Sequence, residues 1–280
     1  MSIFDLFWIF IVLTSLQPVI SQRMLFAMRQ RKIAEIEKQR GSRVILLVHR
    51  QESMRLLGFP LMRYIDVNDS EQVMRAIQMT DPDTPLDLVP HTPGGLVLAS
   101  LQIARALKLR KPKTTVFVPH FAMSGGTLIA LAADEIVMSP HAVLGPVDPQ
   151  TKGLPAASII RATQDKPIAD VDDQTLILAD VGRKAIAQIK TAVSELLQEH
   201  IPKEKADELA DRLSRGEWTH DYPISPAEAQ TLGLRVTTDM PADVLELMGF
   251  YPQPVRTQAS VEYLPGQRAR RDAPSPAAPQ

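Results

Sequence analysis

Ser124 sits in the run Ala122-Met123-Ser124-Gly125-Gly126-Thr127, which opens the apolar stretch Leu128 to Ala133. Earlier in the chain, His91-Thr92-Pro93-Gly94-Gly95 follows one apolar run and precedes another. Acyl transfer needs a serine on a tight turn, with backbone N–H groups free to hold a developing oxyanion. Glycine leaves those N–H groups unshielded and allows the positive φ that such turns require. Read alone, Ser124 is equally a helix N-cap, a role serine fills well. The second chemical cluster is Trp218-Thr219-His220-Asp221-Tyr222, dense in aromatic and titratable groups for a chain only 5% aromatic. His220 could act as a base toward Ser124; the alternative is a structural turn whose Trp218 packs on a sheet.

The elements that must position these residues alternate. Short β-branched or apolar runs at Arg43 to His49, Leu86 to Val89, Thr114 to Val118, Glu135 to Met138 and Arg235 to Thr237 read as strands. Amphipathic or apolar stretches at Asp69 to Met79, Val97 to Leu109 and Gly126 to Ala133 read as helices between them. Thr175 to Glu199, Lys203 to Ser214 and Pro226 to Leu232 are further helices. Leu144 to Gln150 holds two prolines and is expected to be irregular. This alternation predicts an α/β fold with a largely parallel sheet.

Composition narrows the function. The chain has 45% hydrophobic and 22% charged residues, an ordinary globular mixture. A net charge of −1 gives no footprint for nucleic acid. Zero cysteines exclude thiol catalysis, disulfides and Cys-ligated zinc. The 6 histidines show no paired metal-ligand spacing, so no metal and no cofactor is expected.

The N-terminus reads differently from the rest. Ile3 to Ile20 is almost wholly apolar, and at ~1.5 Å per residue it comes close to the thickness of a bilayer core. Its front carries Asp5 and neither Lys nor Arg, unlike a cleaved signal. Arg23, Arg29, Arg31, Lys32, Lys38, Arg40 and Arg43 follow it, which orients the following chain to the cytoplasmic side of a single-pass membrane anchor. An interfacial helix is the alternative, because Thr14, Ser15, Gln17 and Pro18 weaken the span. The expected organisation is an anchor at 1–22, a basic juxtamembrane helix at 23–42, one large domain at 43–250 and a tail at 251–280, disordered from about 266.

The two glycine turns, with Ala132-Ala133-Asp134-Glu135-Ile136-Val137-Met138, Leu144-Gly145-Pro146-Val147-Asp148 and Ser225 to Leu234, resemble the ClpP/crotonase superfamily. Within it the chain is similar to the serine dehydrogenase proteinase family and to the signal peptide peptidase A and NfeD-type membrane serine proteases. The resemblance implies a superhelix of ββα units, Ser124 as nucleophile at a helix N-terminus, and an oxyanion hole from the Gly95 and Gly125 amides. Clp peptidases place a histidine about twenty-five residues after the serine; here that count falls near Pro149, where no histidine stands. The signal peptide peptidase A branch uses a later lysine, which implies a Ser/Lys dyad. Ile177, Val181, Ala185 and Ile189 predict a buried stripe on the long helix, and Lys184 beside it is the expected base. Lys190, Lys166 and His220 are the alternatives. The function so implied is a membrane-anchored serine peptidase, forming homo-oligomers and cutting peptides or parts of membrane proteins. A scaffold that lost its base and a crotonase-type acyl-CoA enzyme are the competing readings.

Overall fold

The computed structural model describes residues 3–49, 55–56, 59–60 and 63–251. Residues 50–54, 57–58 and 61–62, and the expected tail beyond 251, lie outside the described residues.

Strands β1 (Arg43–Val48), β2 (Leu86–His91), β3 (Thr114–Val118), β5 (Glu135–Met138) and β9 (Val236–Thr237) form one sheet in the order β1-β2-β3-β5-β9. Every pairing in it is parallel. Parallel strands need covered faces, and the period-2 alternation provides two apolar surfaces. Ile45, Leu47, Leu86, Leu88, Val116, Val118, Ile136 and Met138 face one core. That core is closed by α2 (Val67–Gln78), α3 (Val97–Lys108), α4 (Gly125–Leu131), the second half of α6 (Asp173–Leu197) and α7 (Lys203–Ser214). Val44, Val89, Phe117 and Val137 face the other core, under Ile36 of α1 (Ile3–Arg40) and Val244, Leu247 and Met248 of α9 (Ala242–Gly249).

A second layer of short pairings gives each unit its extra strand. β4 (Phe121–Ala122) pairs in parallel with β6 (Val143–Leu144), and Thr92 bridges Ala122. A long strand, a short one and a helix thus recur, which is the ββα unit that the resemblance implies. A hairpin of β7 (Gln150–Thr151) and β8 (Leu154–Pro155), together with α5 (Ala156–Gln164), was not expected from the sequence. The helix α8 (Pro226–Thr231) is capped by Ser225, whose hydroxyl accepts from the Glu228 amide.

The basic half of α1 is fastened to the domain rather than hanging free. Lys32 is 8% exposed and meets Glu35, Asp243 and Glu246 at 2.8–3.1 Å. Arg29 donates to the Phe250 carbonyl at 2.8 Å, and Arg40 and Ser42 donate to the buried Asp87. Among the described residues no helix is long and apolar enough to cross a membrane. Most side chains of 3–20, the expected span, lie outside the described residues.

The expected stripe on α6 is corrected. Ile177 and Val181 are 63% and 44% exposed, whereas Ala179, Gly182, Ile189, Val193 and Leu196 are buried. The first half of the helix packs on α5 through small residues: a Cβ on Gly182 would stand 3.2 Å from the Ala156 methyl. Close backbone approach rotates the buried face away from the large side chains.

Candidate active site

The carboxyl ends of parallel strands are where ligands gather in open α/β sheets. Here the first glycine turn follows β2, Ser124 follows β3 and β4, and Asp148 follows β5 and β6. A cleft of about 420 Å³ opens at this end. Ser124, Gly95, Gly125, Asp148, Gln150, His220 and Asp221 line it, with apolar walls from Tyr64, Val97, Met123, Leu128, Val147 and Ile189.

Ser124 has φ 49 and ψ −112 and stands at the N-cap of α4, yet its side chain makes no capping hydrogen bond. Positive φ in a non-glycine residue is strained and persists only where its surroundings enforce it. The enforcement is visible. Met123 N donates to Thr92 O at 2.9 Å and Gly126 N to Met123 O at 2.8 Å. Thr127 Oγ1 sits 2.8 Å from Ala122 O and accepts from Gly145 N at 3.0 Å, tying the turn to the next loop. A Cβ on Gly126 would stand 2.7 Å from Thr92 Cγ2, and one on Gly94 2.7 Å from Ser124 Cβ. The two glycine turns are therefore packed backbone against backbone. A Cβ on Gly125 would run into Ser100 Oγ and lie 3.4 Å from the Gly95 nitrogen. Neither the Gly95 nor the Gly125 amide has a hydrogen-bond acceptor among the described residues.

Gly95 has φ +157, and a Cβ there would collide with the backbone of Ile65. That segment is fixed, because Ile65 N donates to Gly94 O and Leu96 N donates to Ile65 O. Gly95→Ala is thus expected to lower stability by about 1–3 kcal/mol. A urea-denaturation midpoint measures it, and an unchanged midpoint would show that the turn can shift freely.

His220 Nδ1 and Asp148 Oδ1 are 2.8 Å apart. Asp148 is 3% exposed and also accepts from Gln150 Nε2 at 2.8 Å. A carboxylate only accepts, so Nδ1 carries the proton and Nε2 is left with its lone pair when the ring is neutral. The hydrogen bond to Asp148 raises the His220 pKa above the usual imidazole range, against the opposing effect of burial. Local pairing explains how residues so distant in sequence meet. Val147 N donates to Leu213 O, and Leu144 and Ile224 exchange two backbone hydrogen bonds. This ladder lays the Leu144–Asp148 segment beside the loop that leaves α7.

The other expected residues lie elsewhere. Lys184 is 69% exposed on the solvent face of α6, pairs with Asp180 at 2.6 Å and is not among the residues lining the cleft. The rotation of α6 described above turned it outward. Lys190 pairs with Asp211 at 2.7 Å, and Lys166 is exposed. His91 is buried with its ring 4.3 Å from that of Phe121, and neither it nor the exposed His120 lines the cleft. Trp218 stacks on Tyr222 at 5.5 Å beside Arg212, while its neighbour His220 turns into the cleft. Asp148 went unrecognised in the sequence, though the count from Ser124 pointed at its neighbour Pro149.

A serine on an enforced turn, in an α/β fold whose cleft also holds an Asp–His pair, is the layout of a serine hydrolase. The chain belongs to the family of ClpP-like SDH-type serine proteinases, whose sequence model matches residues 1–278. Two uncharacterized proteins of Methanocaldococcus jannaschii, MJ1495 and MJ0137, are 50% and 49% identical to it. The matches cover 95% and 93% of this chain and 91% of each relative. Among solved structures it is similar to a membrane-bound stomatin-specific protease in complex with a substrate peptide, at TM-score 0.44 and 21% identity over 65% of this chain and 74% of that one. It is also similar to ClpP1 from Listeria monocytogenes, at TM-score 0.43 and 16% identity over 73% and 96% of the two chains.

Proposed function

We propose that this protein is a serine endopeptidase in which Ser124 attacks the peptide carbonyl. The amides of Gly95 and Gly125 hold the oxyanion, His220 Nε2 takes the serine proton, and Asp148 orients the imidazole. The observation that carries this is Ser124 at positive φ with a hydroxyl that does not cap its helix, in one cleft with a histidine whose other nitrogen is bound to a buried carboxylate. His220 then returns the proton to the leaving amine, and the acyl-enzyme is released by water along the reverse route. A lysine base would need burial to make it neutral, and Lys184 has none. The scaffold reading rested on a missing base, and His220 removes that reason for it. The apolar walls of the cleft favour an apolar substrate side chain next to the scissile bond.

The membrane location belongs to the same reading. Phe4, Trp8, Leu16, Ile20, Met24, Phe26 and Met28 are exposed along α1, ahead of the part that docks on the domain. Their burial in a bilayer, with the basic flank on the cytoplasmic side, would hold the peptidase at the membrane surface, in reach of membrane-protein segments. Assembly into a homo-oligomer completes the reading.

The test is labelling with a fluorophosphonate probe, followed by mapping of the adduct. The adduct is expected on Ser124, with wild-type labelling rates in Lys184→Ala. An adduct elsewhere, or labelling lost in Lys184→Ala, would overturn the assignment.

A further inference from the structure

A second Asp–His pair lies behind the first glycine turn, outside the cleft. His49 directly follows β1 and is 4% exposed. Its Nε2 is 3.2 Å from Asp69 Oδ2 and its Nδ1 is 2.9 Å from Thr92 Oγ1. The Gly94 amide donates to that same Oγ1 at 3.2 Å. Asp69 is itself fixed on α2, where it and Asp66 cap one another through their backbone amides.

The proton positions follow from the acceptor at one end. Asp69 can only accept, so a neutral His49 carries its proton on Nε2 and offers a lone pair at Nδ1. Burial favours that neutral form. Thr92 must then donate to Nδ1, which leaves its oxygen to accept from the Gly94 amide. The chain Gly94 N–H to Thr92 O–H to His49, and His49 N–H to Asp69, runs in one direction with each group satisfied.

Thr92 is also the joint between the two glycine turns. Its carbonyl accepts from Met123 N, its amide donates to Phe121 O, and its methyl lies where Gly126 admits no side chain. Gly94, held by its hydroxyl, lies directly against Ser124.

We propose that Asp69, His49 and Thr92 are positioning residues that hold the Gly94-Gly95 turn in the shape that aims the Gly95 amide at the oxyanion. The proposal rests on the reading of Gly95 as an oxyanion donor. A donor that strays loses part of the ~10²–10³-fold that an intact one supplies. Thr92→Val keeps the shape and removes the hydroxyl.

The experiment compares wild type, Thr92→Val and Thr92→Ser in the full chain, on a peptide ester and on its thionoester, in which sulfur replaces the oxygen that the amides bind. Thr92→Val is expected to lower kcat on the ester by about tenfold or more with KM unchanged, to affect the thionoester little, and to be rescued by Thr92→Ser. Equal losses on both substrates, or none, would overturn the proposal. Amide hydrogen exchange across 92–96 is measured in parallel and should speed up in Thr92→Val and in His49→Phe. Unchanged exchange in a folded Thr92→Val would overturn the proposal whether or not the protein turns over. A wild type that cleaves neither ester would count against the peptidase reading, with exchange still judging the relay.

Discussion

Ser124→Ala is expected to abolish hydrolysis, by about 10⁴-fold or more, while leaving the folded protein as stable as the wild type. The two halves of that result come from one observation. A serine at a helix N-cap normally contributes about 1 kcal/mol through its hydroxyl, and losing it destabilises the helix. Ser124 makes no such bond, so the substitution removes no cap. Its φ of 49 is instead a cost that alanine shares and glycine does not. Ser124→Gly should therefore be just as inactive yet more stable than Ser124→Ala, by about 1 kcal/mol. Peptidase assays and urea midpoints on the three proteins separate the readings. Activity surviving in Ser124→Ala would end the nucleophile assignment. A marked loss of stability with activity intact would restore the plain helix cap.

How much of this was legible in the sequence depended on whether a feature is local. The strands at Thr114–Val118 and Glu135–Met138 and the helix at Lys203–Ser214 were bounded correctly by their own β-branched runs and amphipathic period. The two glycine turns were legible because only glycine tolerates their packing: Gly94 and Gly126 each face another backbone turn. The proposed base was not legible, because no local pattern announces the Leu144–Ile224 ladder that brings His220 to Asp148. The residues were in view separately, Asp148 at the end of one quoted segment and His220 inside an aromatic cluster. Their pairing is a tertiary fact. Lys184 was expected beside a buried stripe, and the structure places it on the solvent face for a related reason. A four-residue apolar repeat marks a buried stripe only where large side chains do the packing, and the first half of α6 packs through Ala179 and Gly182. In small-residue contacts the hydrophobic period no longer identifies the buried face. α9 was missed because eight residues give little more than two turns of apolar period to read, and its Val244, Leu247 and Met248 serve the second face of the sheet, beneath α1.

Asp148→Asn is the variant that should distinguish a histidine base from a lysine base. His220 must be neutral to accept the serine proton. Its pKa is raised by the hydrogen bond to Asp148, so kcat/KM should fall as pH drops through a value above the ordinary ~6.5 of imidazole. Asparagine cannot stabilise the imidazolium as a carboxylate does, so the acid limb should move to lower pH. The plateau should fall as well. An amide can offer its N–H to His220 Nδ1, which would leave the proton on Nε2, facing the serine with no lone pair to accept from it. A tautomer error of this kind costs on the order of 10⁴-fold in kcat. Asp148 is buried and holds Gln150 too, so some stability will be lost, but the asparagine amide oxygen can still accept from Gln150 Nε2. The shift of the acid limb is the decisive measurement, since a loss of folded protein lowers the whole profile without moving it. With a lysine base, activity would be controlled by a limb at higher pH that ignores position 148. A pH–rate profile whose acid limb stays in place in Asp148→Asn, with a plateau lowered less than tenfold, would therefore remove His220 and Asp148 from the mechanism together.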